Sequence, residues 1–287
     1  MCKRFFCLML ALLLCISSCI SLAESTEEES NKGEILFITP AEVAEDVPAG
    51  ENAPFIPEAV SGNDDEPNKA VIGADNRSNV NPSKYPYSAI CYMEINGQCG
   101  HSWTGTGFMI DPDWMLTAGH CMVCTEHDMW ADSMTLYFGY RSKSDYLYRY
   151  NGKWSAWTNN DLFGTGSFSA NDYAYVKLYK NVGDTTGWFG MRYGMSDAEY
   201  EAEWFNVAGY RAGKIKTSIG YAEPYNSNQI LHYADTEPGY SGCPVFDDQY
   251  YAVAINTAHF TDNSANIGRR ITTQLYYDML DSGMPKE

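Results

Sequence analysis

From Val71 onward the chain is cut into short runs of β-branched and aromatic residues separated by turn residues. Ser88 to Ile95, Gly107 to Ile110, Met134 to Phe138, Tyr173 to Tyr179, Trp204 to Ala208, Ile230 to Tyr233 and Tyr251 to Asn256 each have strand length and composition. No long amphipathic stretch interrupts them. Only Thr272 to Leu280, with Leu275, Tyr276, Met279 and Leu280 on one face, has helical spacing. This pattern predicts an all-β barrel or sandwich with a C-terminal helix. Tyr146, Tyr148, Tyr150, Trp154 and Trp157 fall in a loop-like stretch before Asp172, where they either shape a cleft or pack on surface strands.

The first seventy residues read differently. Lys3 and Arg4 precede an uncharged apolar run from Phe5 to Ile16, and Ser21-Leu22-Ala23 offers a small-residue cleavage site. Residues 1–23 are therefore expected to be an export signal. Two other readings stay open: an uncleaved anchor, and a lipoprotein box, Ile16-Ser17-Ser18-Cys19, with Cys19 as the lipid carrier. Of the 37 acids and 19 bases, thirteen acids and two bases lie in residues 24–70, and two bases lie in the signal. That leaves 24 acids and 15 bases, a net charge of −9, in residues 71–287. Residues 24–70 are expected to be a largely disordered propeptide, with Ile35-Leu36-Phe37-Ile38 as the part able to touch the remainder. The negative balance argues against a nucleic-acid partner.

Five of the nine cysteines lie beyond the signal: Cys91, Cys99, Cys121, Cys124 and Cys243. In an exported protein some should be bridged, and an odd number leaves at least one free. Cys121-x-x-Cys124 with His127 has the look of half a zinc site, but no second ligand pair accompanies it. No metal or cofactor is assigned.

Three segments carry chemistry. Leu116-Thr117-Ala118-Gly119-His120-Cys121 delivers a histidine at a strand end. Asn171-Asp172-Tyr173 places an acid at the start of a strand. Gly239-Tyr240-Ser241-Gly242 sets a serine in a glycine-flanked turn. Each has an ordinary structural explanation when it stands alone. Together they supply what amide hydrolysis requires. A serine hydroxyl needs a neutral imidazole to take its proton, and the imidazole needs a carboxylate to fix its tautomer. The order His, Asp, Ser, with gaps of 52 and 69 residues, differs from the Ser, Asp, His order of α/β-hydrolases.

These blocks resemble the trypsin-like superfamily, and more closely its bacterial glutamyl endopeptidase or V8-like branch. Val71-Ile72-Gly73-Ala74-Asp75-Asn76-Arg77, Tyr85-Pro86-Tyr87, Gly187-Trp188-Phe189-Gly190, Gly242-Cys243-Pro244-Val245-Phe246 and Gly268-Arg269-Arg270-Ile271-Thr272 support the resemblance, which spans about Val71 to Thr273. It implies two packed six-stranded antiparallel β-barrels, about 71–185 and 186–272, with a helix about 272–281. It implies a secreted, monomeric endopeptidase acting on proteins or peptides, with His120, Asp172 and Ser241 as its triad and the Gly239 and Ser241 amides as its oxyanion hole. It also implies activation by removal of residues 24–70, by another protease or by the enzyme itself, with the new Val71 amine near the substrate pocket. Many trypsin-like zymogens pair that amine with an acid before the serine. Tyr240 stands there instead.

The same resemblance implies Thr236, Asn256, Thr257 and Val71 as substrate-binding residues. The branch prefers Glu, less strongly Asp, before the cut, partly through a pocket histidine, and Asn256 stands in its place. His259 would reach the pocket only if the strand end shifted. A neutral or small P1 side chain is the alternative, and an inactive protease-like binding module is the reading from another class. The usual partner of Cys121, sixteen residues earlier, is Gly105, so Cys121 would pair with Cys99 or Cys91 or stay free. Cys243 is expected to be a small buried residue.

Overall fold

The computed structural model describes residues 32–37, 49–58, 75–124, 126–162, 169–260 and 264–286. The expected signal, Cys19 and Val71 lie outside these residues. The strands are β1 (Gly33–Phe37), β2 (Gly50–Asn52), β3 (Ser78–Asn79), β4 (Ile90–Gly97), β5 (Ser102–Met109), β6 (Trp114–Thr117), β7 (Val123–Cys124), β8 (Met129–Phe138), β9 (Tyr148–Tyr150), β10 (Trp154–Thr158), β11 (Ala174–Leu178), β12 (Gly190–Tyr193), β13 (Trp204–Arg211), β14 (Lys214–Asn226), β15 (Gln229–His232), β16 (Pro244–Phe246), β17 (Tyr251–His259) and β18 (Asn266–Arg270). Helices α1 (Gly183–Thr186) and α2 (Asp197–Ala202) are short, and α3 (Thr273–Asp281) closes the chain.

The strands form two barrel-like sheets. The first runs β1-β10-β11-β6-β5-β4-β8-β7 with β9 on β8, and the second runs β16-β13-β14-β15-β18-β17-β12-β2 with β3 on β14. Each rests on six principal strands, β4, β5, β6, β8, β10 and β11 in one and β12, β13, β14, β15, β17 and β18 in the other. Shorter strands are added at the margins. Every run read as a strand in the sequence overlaps one. Apolar residues of β4 (Ile90, Met93, Ile95), β5 (Phe108, Met109) and β6 (Met115, Leu116) are fully buried. Thr272 caps α3 by accepting from the Leu275 N–H at 3.2 Å.

Two findings sharpen the sequence reading. Of the two readings of the aromatic stretch before Asp172, strand packing is the one found: Trp154 is fully buried, and Trp157 stacks on Trp114 and Tyr175 at 5.3 and 5.6 Å. Alternation in Trp-Ser-Ala-Trp-Thr turns these indoles into core. The acidic segment of residues 24–70 also touches the remainder, as expected of Ile35 to Phe37, and at further points. Its strand β1 pairs in parallel with β10 from Gly33–Trp154 to Phe37–Thr158, and Lys32 bridges to Ser133 of β8. The leader's β2 pairs with β12. Phe55 exchanges both backbone hydrogen bonds with Trp188 at 3.0 and 3.1 Å, and their rings stack at 4.2 Å. Charge counting averaged over short apolar pieces that find sheet edges and an indole face.

Candidate active site

His120 reaches its place because β6 ends at Thr117 and the chain turns through a single 3-10 turn, Gly119–Met122. Asp172 precedes β11, whose Ala174 is paired with Thr117, so the two residues emerge side by side. Asp172 is fully buried. Its Oδ1 accepts from the His120 backbone N–H at 2.8 Å, and its Oδ2 lies 2.8 Å from His120 Nδ1. One carboxylate therefore fixes both the histidine's backbone and its ring. Burial works against the imidazolium, but the Asp172 charge and hydrogen bond outweigh it, so the His120 pKa lies above its ordinary value.

Ser241 comes from the second sheet, in the turn before β16. Its carbonyl accepts from the Thr106 N–H at 2.9 Å and from the Cys121 thiol at 3.5 Å, tying it to the residue beside His120. Burial, and then the Asp172 charge, push the Cys121 thiol up to about 12, which keeps it a donor. Thr106 also donates its hydroxyl to the Gly239 carbonyl at 2.8 Å. The glycines are sterically required. Gly239 has φ 108° and Gly242 φ 87°. A Cβ on Gly242 would fall 2.1 Å from the Thr106 carbonyl oxygen. Within this turn the N–H groups of Tyr240, Gly242 and Cys243 donate to Glu237, Asn256 and Tyr240 carbonyls. Among the described residues, those of Gly239 and Ser241 have no such acceptor.

The segment just after the expected cleavage site docks on the loop leading to the serine. The Asn76 N–H donates to Asp235 Oδ2 at 2.9 Å. Arg77 pairs with both Asp75 and Glu237. Tyr240, in the position where an acid would receive the new amine, is fully buried.

The pocket residues divide. The Thr236 hydroxyl is half-buried and donates to Asn266 Oδ1 at 2.7 Å. Thr257 is buried in β17 with its hydroxyl committed to the Ile267 carbonyl at 3.1 Å, so it belongs to the sheet. Asn256 is buried and engaged at both ends. Its Oδ1 lies 2.9 Å from His232 Nε2, and its Nδ2 donates to the Tyr240 carbonyl at 3.2 Å. His232 escaped the sequence reading, since a lone histidine at the end of an apolar strand gives no signal. Burial pushes it down to about 4, with the Asn256 bond opposing, so the ring is neutral. His259, at the exposed end of β17, is paired in register with Asn266.

All five described cysteines are free thiols, contrary to the expected bridging. Cys91, Cys121 and Cys243 are buried in core packing, and Cys99 and Cys124 share a cluster with His127.

A trypsin-like peptidase domain model matches residues 105–255, a span holding His120, Asp172 and Ser241. The chain belongs to the trypsin-like peptidase family. It is 30% identical over 230 residues to a glutamyl endopeptidase of Bacillus licheniformis, covering 72% of this chain and 67% of that one. It is 31% identical over 219 residues to an extracellular metalloprotease of Bacillus subtilis, with the same coverages. Among solved structures, a Glu endopeptidase in complex with MPD matches with TM-score 0.61 and 24% identity, over 74% of this chain and 99% of that one. The protease Anisep from Arthrobacter nicotinovorans matches with TM-score 0.55 and 17% identity, over 67% and 93%. These two likenesses show the fold. With its family, this trypsin-like chain is a serine endopeptidase.

Proposed function

We propose that this is an exported serine endopeptidase that acylates Ser241, with His120 as general base and Asp172 as the group that orients it. The observation carrying this reading is the doubly hydrogen-bonded, buried Asp172 against His120, with the Ser241 carbonyl tied to the residue next to that histidine. His120 takes the hydroxyl proton as Ser241 Oγ attacks the peptide carbonyl and returns it to the leaving amine; water then repeats the exchange to release the acid. The free N–H groups of Gly239 and Ser241 suit the developing oxyanion, and one such donor is typically worth about 3–4 kcal/mol. Fluorophosphonate labelling of the chain starting at Val71, beside Ser241→Ala, tests this. Labelling that requires Ser241 supports an assembled triad. Its absence in folded, processed protein would make the chain an inactive binding module.

Processing after Ala70 is the activation step in this reading. The docking of Asn76 and Arg77 on the 235–237 loop supports it, because a new amine at Val71 would be tethered five residues from that anchor. The acidic preference carried by the Bacillus licheniformis relative's name would then rest on this amine. A second reading, a neutral polar P1 side chain, is favoured by the neutral His232 and the fully engaged Asn256. Matched peptides with Glu or Gln before the cut separate them: faster cleavage after Glu supports the first, and equal or faster cleavage after Gln the second. Export itself is proposed from the signal-like start and is checked by finding the processed chain in culture medium.

A further inference from the structure

Sequence spacing offered Cys121, Cys124 and His127 as half a metal site with the other half missing. The fold rearranges that set. Cys121 faces Ser241 and takes no part. The hairpin turn between β4 and β5 instead brings Cys99 to Cys124, the last residue of β7, and to His127, on the turn between β7 and β8. One ligand atom from each of these three lies within 4.8 Å of the others. Cys124 Sγ and His127 Nδ1 are 3.5 Å apart. A tetrahedral zinc with Zn–S about 2.3 Å and Zn–N about 2.0–2.1 Å separates its sulfur and nitrogen ligands by about 3.5 Å. His101 stands beside His127, in a second set with Glu126 and His127 whose ligand atoms also lie within 4.8 Å of one another. Its ring centroid is 4.3 Å from that of His127, and its Nδ1 lies 3.2 Å from Glu126 Oε2. That carboxylate partner leaves Nε2 free, the arrangement that orients metal-bound histidines.

Both turns are held by the backbone. The Gly97 N–H donates to the His101 carbonyl at 2.8 Å, the Gln98 N–H to the Trp130 carbonyl at 2.9 Å, and the His127 N–H to the Cys124 carbonyl at 3.3 Å. The Gln98 bond joins one turn to the strand that follows the other, which holds the two ligand-bearing segments together.

We propose that Cys99, Cys124, His127 and His101 bind one structural zinc ion. Two thiolates and two imidazoles neutralise the ion and fill its four positions, and the two thiol protons are released on binding. With no open position the ion has no part in peptide hydrolysis. It ties the β4–β5 turn to the segment that leaves the His120 turn at Met122, and so braces the base from outside the cleft. The proposal stands apart from the peptidase reading.

The test is metal content of the purified, processed protein after dialysis against buffered zinc, by plasma mass spectrometry, with cobalt substitution as a spectroscopic probe. One zinc per chain is expected, and the cobalt form should show thiolate-to-metal charge-transfer absorption. Both should vanish in Cys99→Ser/Cys124→Ser. In case that variant does not fold, His127→Ala, at an exposed position, should weaken zinc binding roughly 100-fold or more while the protein stays folded. Zinc-free wild-type protein under saturating zinc would overturn the proposal, as would non-reducing peptide maps showing Cys99 linked to Cys124. Unaltered zinc affinity in His127→Ala would overturn it too.

Discussion

Asp172→Asn is the sharpest perturbation of the proposed triad, and its outcome follows from two distances. The carboxylate accepts at both oxygens, from the His120 backbone N–H and at Nδ1, each at 2.8 Å. An amide has one oxygen. The backbone N–H cannot turn away, so the amide oxygen must stay on it; the flipped orientation would set a buried NH2 against a buried N–H, at a cost of about 1–3 kcal/mol. The NH2 is then forced toward Nδ1, which must become an acceptor. The ring proton moves to Nε2, the nitrogen that should receive the Ser241 proton. Removing the base function in this way lowers kcat by about 10⁴-fold, or about 5.4 kcal/mol at 1.36 kcal/mol per tenfold. The assay is kcat on a peptide amide with an active-site titration to count folded sites, since isosteric replacement should leave the fold intact. A loss of less than tenfold in correctly folded protein would refute the tautomer argument and the role of Asp172.

Three further outcomes follow. Because Asp172 raises the His120 pKa against burial, and the base must be neutral, kcat/KM should rise with pH through an inflection above 6.5; a flat profile across that range would remove His120 as base. Gly242→Ala should destabilise by about 3 kcal/mol or more, from the positive φ and the clash with the Thr106 carbonyl, read as a lowered denaturant midpoint with a parallel loss of labelling. After cleavage behind Ala70, the fragment carrying β1, β2 and Phe55 should stay bound through gel filtration, since its pairings with β10, β12 and Trp188 do not involve the cut; Phe55→Ala should speed its release, and immediate loss of the wild-type fragment would refute the clamp.

What could be read from the sequence was what depends on local pattern. The alternation in Ser88 to Ile95 or Tyr251 to Asn256 marks strands because one barrel face is apolar. His120, Asp172 and Ser241 stood out because a nucleophile turn and a strand-end acid have local signatures. β14 went unread: within Lys214 to Asn226 the buried positions include Thr217, Ser218, Gly220 and Ala222, small residues that give no hydrophobic contrast. The aromatic run at 146–157 left two readings open because its tyrosines and tryptophans suit both a cleft and a barrel wall. Contacts distant in sequence had no signal at all, as with His232 behind Asn256, or Cys99 and His101 opposite Cys124 and His127.

The attachment points of the leader bear on how a precursor of this kind could be kept inactive. Phe55 and Asn52 sit on Trp188 and Tyr276, in the linker between the sheets and in the C-terminal helix. β1 lies against β10, on the side away from the β11–β6 pairing that carries Asp172 and His120. None of these described contacts touches His120, Asp172 or the Gly239–Gly242 turn. The described part of residues 24–70 therefore makes no contact that would plug the proposed cleft. In the proposed activation the cut after Ala70 falls in the chain that leads from these contacts to Asp75. That chain ends on Asp235 and Glu237, the residues that open the serine loop. On that reading the cut separates the serine-loop side from residues 24–70 while the pairings of β1, β2 and Phe55 stay intact, so activity should appear before the fragment is lost, and activation and release are separable events.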